Sequence, residues 1–159
     1  MKKRVLGSLI MAGMLAVPAT SLLAADTQMG VGIGVTGNTS VVRGTVNIAK
    51  DMRIEPYFTY TYTDPDNAPS RSNIGLGAAF HMMKSVNSKV RTYYGALAGI
   101  NSNDNGVTTD TIFSLGPVVG AEYFFDTHFT LGAEANLYFG FGDYTTVGTN
   151  TTAMLRYYF

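Results

Sequence analysis

Cysteine is absent from all 159 residues, so the sequence holds neither a disulfide framework nor a thiolate metal site. Beyond the N-terminal region, no apolar run approaches the roughly 18 residues that a membrane-spanning helix needs. Leucine and lysine, both good helix formers, are sparse, whereas tyrosine, phenylalanine and glycine are abundant. These features argue against a helical membrane protein and favour strands.

An excess of basic residues is also lacking. The chain carries eleven Lys and Arg residues against eleven Asp and Glu residues. Lys2, Lys3 and Arg4 fall in the N-terminal region, so eight basic residues face eleven acidic ones in the remainder. The resulting net charge near −3 predicts no nucleic-acid partner.

The first 25 residues have the pattern of a secretory signal peptide. Three basic residues precede an apolar stretch over residues 5–17, Pro18 ends that stretch, and small residues follow. Cleavage after Ala24 and cleavage after Ala25 both fit. An uncleaved anchor helix is the alternative, which the short apolar stretch disfavours. We therefore predict a signal peptide over residues 1–25 and one domain over residues 26–159.

The remainder alternates between apolar and polar residues in eight segments separated by turn signals. The seventh segment is the clearest, since apolar residues from Phe129 to Phe141 alternate with small and polar ones. The predicted connections are residues 37–40, 50–51, 64–70, 85–88, 101–109, 126–128 and 143–149. The longer ones lie among the odd-numbered connections, as expected for extracellular loops when the N-terminus is periplasmic. The pattern predicts an all-β fold, an eight-stranded antiparallel up-and-down transmembrane β-barrel.

A soluble β-sandwich would share this alternation, and the placement of glycine distinguishes the two folds. In this register nearly every strand glycine lies on the inward face, with Gly44 as the exception. Inward glycine makes room for large inward side chains such as Arg91, Tyr138 and Arg156 in a narrow lumen. The solvent face of a sandwich has no such crowding.

Outward aromatic residues are expected in two girdles, as at the two interfaces of a bilayer. The girdle at the loop end comprises Tyr60, Tyr62, Phe113, Phe139 and Phe141. The girdle at the short-turn end comprises Phe80, Tyr94, Tyr123, Phe125, Phe129, Tyr157 and Phe159. Two prolines, Pro56 and Pro117, lie inside strands, where each is expected to remove one ladder hydrogen bond or distort the strand.

Charged residues on the predicted inward face gather towards the short-turn side. They are Arg43, Glu55, Arg91, Glu122, Glu134 and Arg156, with Arg43 somewhat higher and with Arg53 and Lys89 at the rim. Unpaired charges in a dry lumen are costly, so these side chains should form ion pairs. We predict a lumen charge network that fills the barrel, and the alternative is a narrow gated pore whose pairs exchange partners.

Catalysis is not predicted. His81 and His128, the two histidines, both fall near the short turns, and no serine accompanies either in a convincing position. No metal site and no cofactor are expected, because a divalent site would need more ligands. The aspartates of the outer loops are interpreted as solvated charges.

The end of the chain resembles the small bacterial outer-membrane β-barrel superfamily, which includes OmpA/OmpX-like and opacity-porin-like barrels. Leu155, Tyr157 and Phe159 alternate up to a terminal phenylalanine, similar to the signal that the outer-membrane assembly machinery reads. Residues 120–125 followed by residues 129–134 also resemble a strand–turn–strand common in this superfamily.

The resemblance implies export to a bacterial outer membrane, with outer-membrane lipid, lipopolysaccharide and the assembly machinery as partners, and we expect a monomer. It implies activity only weakly, since members include adhesins, anchors and narrow pores. A structural or surface-interaction role is the leading hypothesis. The alternatives are a passive pore for ions or small solutes and, less favoured, a lipid-modifying enzyme.

Overall fold

The computed structural model describes residues 28–37 and 39–159, and its eight strands form one closed antiparallel barrel in sequence order. The strands are β1 (Met29–Thr36), β2 (Thr39–Ala49), β3 (Met52–Thr63), β4 (Arg71–Ser85), β5 (Val90–Asp104), β6 (Thr109–Phe124), β7 (Phe129–Gly142) and β8 (Thr146–Tyr158). The first and last strands pair, from Gly30 with Tyr158 to Thr36 with Thr152. The predicted fold class is confirmed, and the predicted signal peptide lies outside the described residues.

No helix in the described part of the chain is long and apolar enough to cross a membrane.

The outward face of the barrel is apolar, and the inward face is small or polar. Large hydrophobic residues on the outside remain solvent-exposed, for example Ile33 at 60% and Val119 at 58%. Both girdles of aromatic residues are exposed as predicted, and Phe113 stacks on Phe141 at 6.2 Å between ring centroids. A continuous apolar exterior of this extent suits lipid rather than water.

The connections at the loop end are shorter than the sequence predicted. Residues 101–104 belong to β5 and residues 146–149 to β8, so the fifth and seventh connections shrink to residues 105–108 and 143–145. The ladder continues there through pairs such as Asn103 with Asp110. Outside the bilayer a strand does not need an apolar face, so hydrophobic alternation stops before the strand does. Only the third connection, residues 64–70, is long.

Pro56 and Pro117 each interrupt the ladder on one side and leave the register unchanged. The pairing of β2 with β3 skips Pro56 between Arg43–Tyr57 and Val46–Ile54, yet Pro56 pairs with Ala78 on its other side. Pro117 is skipped in the pairing with β7 and pairs with Ala96. The expected local loss of ladder bonding is confirmed.

The outward position of Gly44, the exception to the glycine pattern, is explained by the first of these prolines. A Cβ atom at Gly44 would lie 3.3 Å from Cγ of Pro56, so the proline ring packs over the bare backbone of β2. The outward glycine at position 44 and the proline at position 56 within a strand are thus explained by a single contact between them.

Two glycines provide a matched test of close approach between strands. A Cβ atom at Gly95 would collide with the main-chain carbonyl of Phe80, which is fixed by the ladder, whereas at Gly44 it would meet a proline ring that has room to shift. We expect Gly95→Ala to lower the free energy of unfolding by about 1–3 kcal/mol and Gly44→Ala by less than about 1 kcal/mol. Urea unfolding in lipid vesicles, followed by heat-dependent gel mobility, measures both. Equal effects would contradict the described register between β4 and β5.

Candidate functional site in the barrel lumen

The lumen towards the short-turn end is filled by charged side chains that are almost completely buried. The structure brings together five of the six residues named from the sequence, joined by Arg53, and each has at most 5% of its surface exposed. These six residues, which we call the lumen charge network, are Arg43, Arg53, Glu55, Glu122, Glu134 and Arg156. Three guanidinium groups therefore face three carboxylates.

Glu55 lies at the centre of the network and contacts all three arginines. Arg156 binds it in a bidentate manner, with Nε 2.9 Å from Oε1 and Nη2 3.2 Å from Oε2. Arg53 Nε lies 3.1 Å from Oε1, and Arg43 Nη1 lies 3.2 Å from Oε2. Thr45 adds a hydroxyl donor at 3.3 Å. A carboxylate offers about four lone-pair positions, and here they are all used.

The other two carboxylates each take one principal arginine. Arg43 donates from Nη1 and Nη2 to the two oxygens of Glu134, both at 2.8 Å. Arg53 Nη1 lies 3.1 Å from both oxygens of Glu122, and Arg156 Nη1 lies 3.4 Å from Oε2 of the same group. The parallel, bidentate pairing of Arg43 with Glu134 is the strongest geometry for a buried ion pair.

Two tyrosines complete the network. The Tyr158 hydroxyl accepts from Arg53 Nη1 at 2.9 Å and donates to Glu122 Oε2 at 3.1 Å. The Tyr93 ring lies under Arg53, with Cζ 4.7 Å from the ring centroid. The Tyr93 hydroxyl also donates to Glu134 at 3.4 Å. The two tyrosine rings fill the space between the ion pairs, and that of Tyr93 also makes a cation–π contact with Arg53.

The structure reverses the predicted positions of Arg91 and Arg53, since Arg53 lies inside the network and Arg91 lies at its edge. Arg91, placed in the network from the sequence, lies at its edge: its side chain is 22% exposed and only Nη1 reaches Glu122, at 3.4 Å. Arg53, expected at the rim, is 0% exposed. The reason is the stagger of the strands, since Met52 pairs with Met82 while β4 continues to Ser85 and carries the wall past Arg53.

His81 is also a lumen residue, and its complete burial was not predicted from the sequence for the same reason. It lies opposite Arg53 on the neighbouring strand, is fully buried, and packs against Tyr93 with 4.6 Å between ring centroids. Its inward phase was the available signal in the sequence, and its nearness to the turn concealed its burial. His128, by contrast, is exposed in the turn after β6.

Three potential metal ligands lie close together in the network, but their surroundings suit binding of arginine better than binding of a metal ion. Atoms of Glu55, His81 and Glu134 lie within 4.8 Å of one another. Both carboxylates are already bound by guanidinium groups, and the carboxylate charge of the network is matched by its arginines. A divalent cation would add uncompensated positive charge in a region of low dielectric. We interpret these three residues as part of the ion-pair network.

Glycine on the neighbouring strands gives the large side chains their room. A Cβ atom at Gly132 would lie 2.7 Å from Nη1 of Arg156, and one at Gly32 would lie 3.0 Å from Cγ of the same side chain. Tyr138 takes the space beside Gly148 in the same way. The predicted relation of inward glycine to large inward neighbours holds for Arg156 and Tyr138. Among the positions described, no glycine contact of this kind involves Arg91.

Towards the loop end the lumen widens into an open cavity of about 350 Å³, which we call the vestibule. Its walls carry asparagine, threonine and tyrosine side chains, and Arg43 lies on its floor. The barrel is therefore filled at one end and hollow at the other.

The three residues named as an assembly signal lie on the outward face of β8 and at its end. Leu155, Tyr157 and Phe159 are 43%, 41% and 66% exposed. Tyr157 makes edge contacts with Phe129 and Phe159 at 5.5 and 5.8 Å between ring centroids. They form an apolar row beside the short-turn end of the barrel.

Removal of one buried arginine should be far more costly than removal of the arginine at the edge. Arg156→Met removes the bidentate partner of Glu55 and leaves a buried carboxylate charge uncompensated, so we expect the free energy of unfolding to fall by about 3–5 kcal/mol. Arg91→Met, the same change at a partly exposed pair, should cost less than about 1 kcal/mol. Urea titration of both variants in vesicles measures the difference. A similar loss for the two would argue against a buried network.

No protein-family model and no curated protein matches the sequence. Among solved structures, the chain is similar to Neisserial surface protein A (NspA), with 16% identity, a TM-score of 0.62, and 84% of this chain and 94% of that one covered.

It is also similar to the attachment invasion locus protein Ail of Yersinia pestis, solved with the heparin analogue sucrose octasulfate, at 14% identity and a TM-score of 0.53 over 84% and 97% of the two chains. A major outer membrane protein of Thermus thermophilus matches at 10% identity and a TM-score of 0.52 over 84% and 100%. At such identities the likeness establishes architecture: the chain has the fold of the small eight-stranded outer-membrane β-barrels.

Proposed function

We propose that this protein is a plugged, non-conducting barrel of the bacterial outer membrane with a structural or surface-interaction role. The observation that carries the proposal is the lumen charge network, whose members are buried and joined across the barrel. Arg43 on β2 reaches Glu134 on β7, and Arg53 on β3 reaches Glu122 on β6. Side chains from opposite walls thus meet in the middle.

A pore through this region would require the pairs to separate. Each arginine of the network contacts at least two carboxylates, so no single rotamer change frees a path. Separation would leave charges buried without partners, which costs several kcal/mol for each ion. An eight-stranded barrel has barely enough width for side chains, and widening the wall would break the ladder.

The surroundings of the barrel follow from its surface. The apolar exterior between two aromatic girdles supports contact with outer-membrane lipid, and the exposed polar ends of β5 and β6 would lie among lipopolysaccharide head groups. Complete closure leaves no strand edge for pairing with another copy, which supports a monomer.

The outward row of β8 offers a surface for the outer-membrane assembly machinery. Leu155, Tyr157 and Phe159 project together from the strand that closes the barrel. We include this recognition in the proposal, since before the barrel closes this last strand would present alternate apolar side chains and its backbone to a partner.

A non-catalytic role is also part of the proposal. Both oxygens of each network carboxylate are bound, and His81 packs against Tyr93 with Arg53 Nε 3.4 Å from its Nδ1. A general base needs access to substrate, which these buried groups lack. For a lipid-modifying enzyme, the test is lipid A from overexpressing cells, whose mass spectrum should be unchanged.

Conductance distinguishes the plugged barrel from the competing function, a narrow passive pore. We expect the refolded protein to give no resolved steps in planar lipid bilayers. The charge-balanced variant Glu55→Ser with Arg156→Ser, which removes the central pair, should give small steps, because the plug then contains a gap across the lumen.

The lipid-facing variant Val119→Ala serves as the control and should remain silent, since Val119 is exposed on the outside. Steps from the unaltered protein that change in size with Glu122→Ala would contradict the plugged barrel and favour the pore. Heat-dependent gel mobility shows that each variant is folded before it is measured.

A further inference from the structure

The vestibule has the composition of a binding site for a polar, uncharged molecule. It opens at the loop end and encloses about 350 Å³, at the small end of the roughly 300–1,000 Å³ typical of ligand pockets. Its polar lining consists mainly of asparagine, threonine and tyrosine, and the larger of these side chains include Asn101, Asn136, Asn150, Tyr57, Tyr138 and Tyr144. Amides donate and accept hydrogen bonds equally, as hydroxyl groups of a ligand do.

Two of these amides stand side by side. Asn136 on β7 pairs with Asn150 on β8 in the ladder, so both side chains leave the wall at the same level on the inward face. Asn101 projects from β5. Within the described part of the chain, none of the three has a side-chain hydrogen-bond partner.

Some other polar residues of the vestibule are already paired with each other, unlike those amides. Thr36 and Thr152 share a hydrogen bond of 2.5 Å between hydroxyl oxygens, and Asn73 donates to Asn103. The wall therefore separates into side chains that bind each other and side chains that remain available. The available ones are large enough to reach a molecule in the middle.

Tyrosine contributes flat surfaces beside the amides. Tyr138 is two residues from Asn136 on the same face of β7, where Gly148 leaves room for its ring. Tyr57 projects from β3, four strands away and thus across the lumen, into the space left by Gly77 and Gly99. Rings that combine an apolar face with a hydroxyl suit molecules with apolar C–H faces and hydroxyl edges.

The charge of the site excludes ionic ligands. Arg43 is the only ionic side chain among the lining residues that the structure describes, and both of its Nη atoms are held by Glu134 and Glu55. Above the vestibule, exposed Asp104 and Asp143 flank the loop end and repel anions. No carboxylate lines the described cavity to hold a cation.

We propose that the vestibule binds a small neutral polyhydroxyl compound, of the size of a mono- or disaccharide. The ligand's hydroxyl groups would pair with the amides of Asn101, Asn136 and Asn150, and its C–H faces would lie against Tyr57 and Tyr138. The site shares only Arg43 with the lumen charge network, so it neither requires nor excludes a non-conducting plug.

The test is an NMR titration of the ¹⁵N-labelled protein in lipid nanodiscs, with glucose and sucrose as probes and glucuronate as the charged counterpart of glucose. We expect the side-chain amide signals of the three asparagines to shift and saturate, with a dissociation constant on the order of 1 mM. Signals of Glu134 and Glu122 should not move, and glucuronate should bind at least threefold more weakly than glucose.

Two variants test the location. Ser114→Phe, which places a ring where Ser114 lines the cavity, should fill part of the vestibule and lower the affinity at least tenfold. Asn136→Leu, which removes one amide, should lower the affinity about three- to tenfold. Asn67→Leu, the same change in the exposed third connection, is the matched control and should bind as the unaltered protein does.

The proposal is overturned if the asparagine amides do not shift with either neutral sugar, or if glucuronate binds more tightly than glucose. It is equally overturned if the shifts persist in Ser114→Phe, since the sugar would then lie elsewhere. Unchanged heat-dependent gel mobility of each variant establishes that a lost shift reflects lost binding. None of these results bears on conductance, so the two proposals fail separately.

Discussion

The matching of three guanidinium groups to three carboxylates inside the barrel is the constraint on which the rest of the structure depends. A charge in this lumen is shielded from solvent, so each must find its partner on another strand. That requirement fixes which strands face each other and at what height.

Room for these long side chains comes from glycine and from the stagger of the strands. Gly32 and Gly132 leave space around Arg156, and the extension of β4 past Met82 encloses Arg53. This close filling ends towards the loop end, where the side chains are shorter and the vestibule opens. One lumen thus holds two environments, a buried ionic region and an open polar cavity, with Arg43 at the boundary.

The fold was predictable because lipid and lumen impose opposite demands on alternate residues. The number of strands, the inward position of most glycines and both aromatic girdles could be predicted from this alternation of outward and inward residues. The ends of strands were less predictable, since residues 101–104 and 146–149 lie outside the bilayer, where the demand for an apolar face ends. Burial at the network depends on stagger between strands, which no single segment encodes, and this is why the burial of Arg53 and His81 was not predicted. The packing of Pro56 over Gly44 could not be predicted either, because it depends on how β2 and β3 are aligned with each other.

The pairing of β1 with β8 joins residues from opposite ends of the domain, such as Gly30 and Tyr158. Contacts so distant in sequence form slowly, because the loop entropy is lost before the contact is gained. Arg156 and Tyr158 lie on that last strand, so Glu55 and Glu122 obtain these partners only when the wall closes. Ring closure therefore completes the charge balance of the network, and a chain that stops short of it has three network carboxylates against two arginines as well as an open edge.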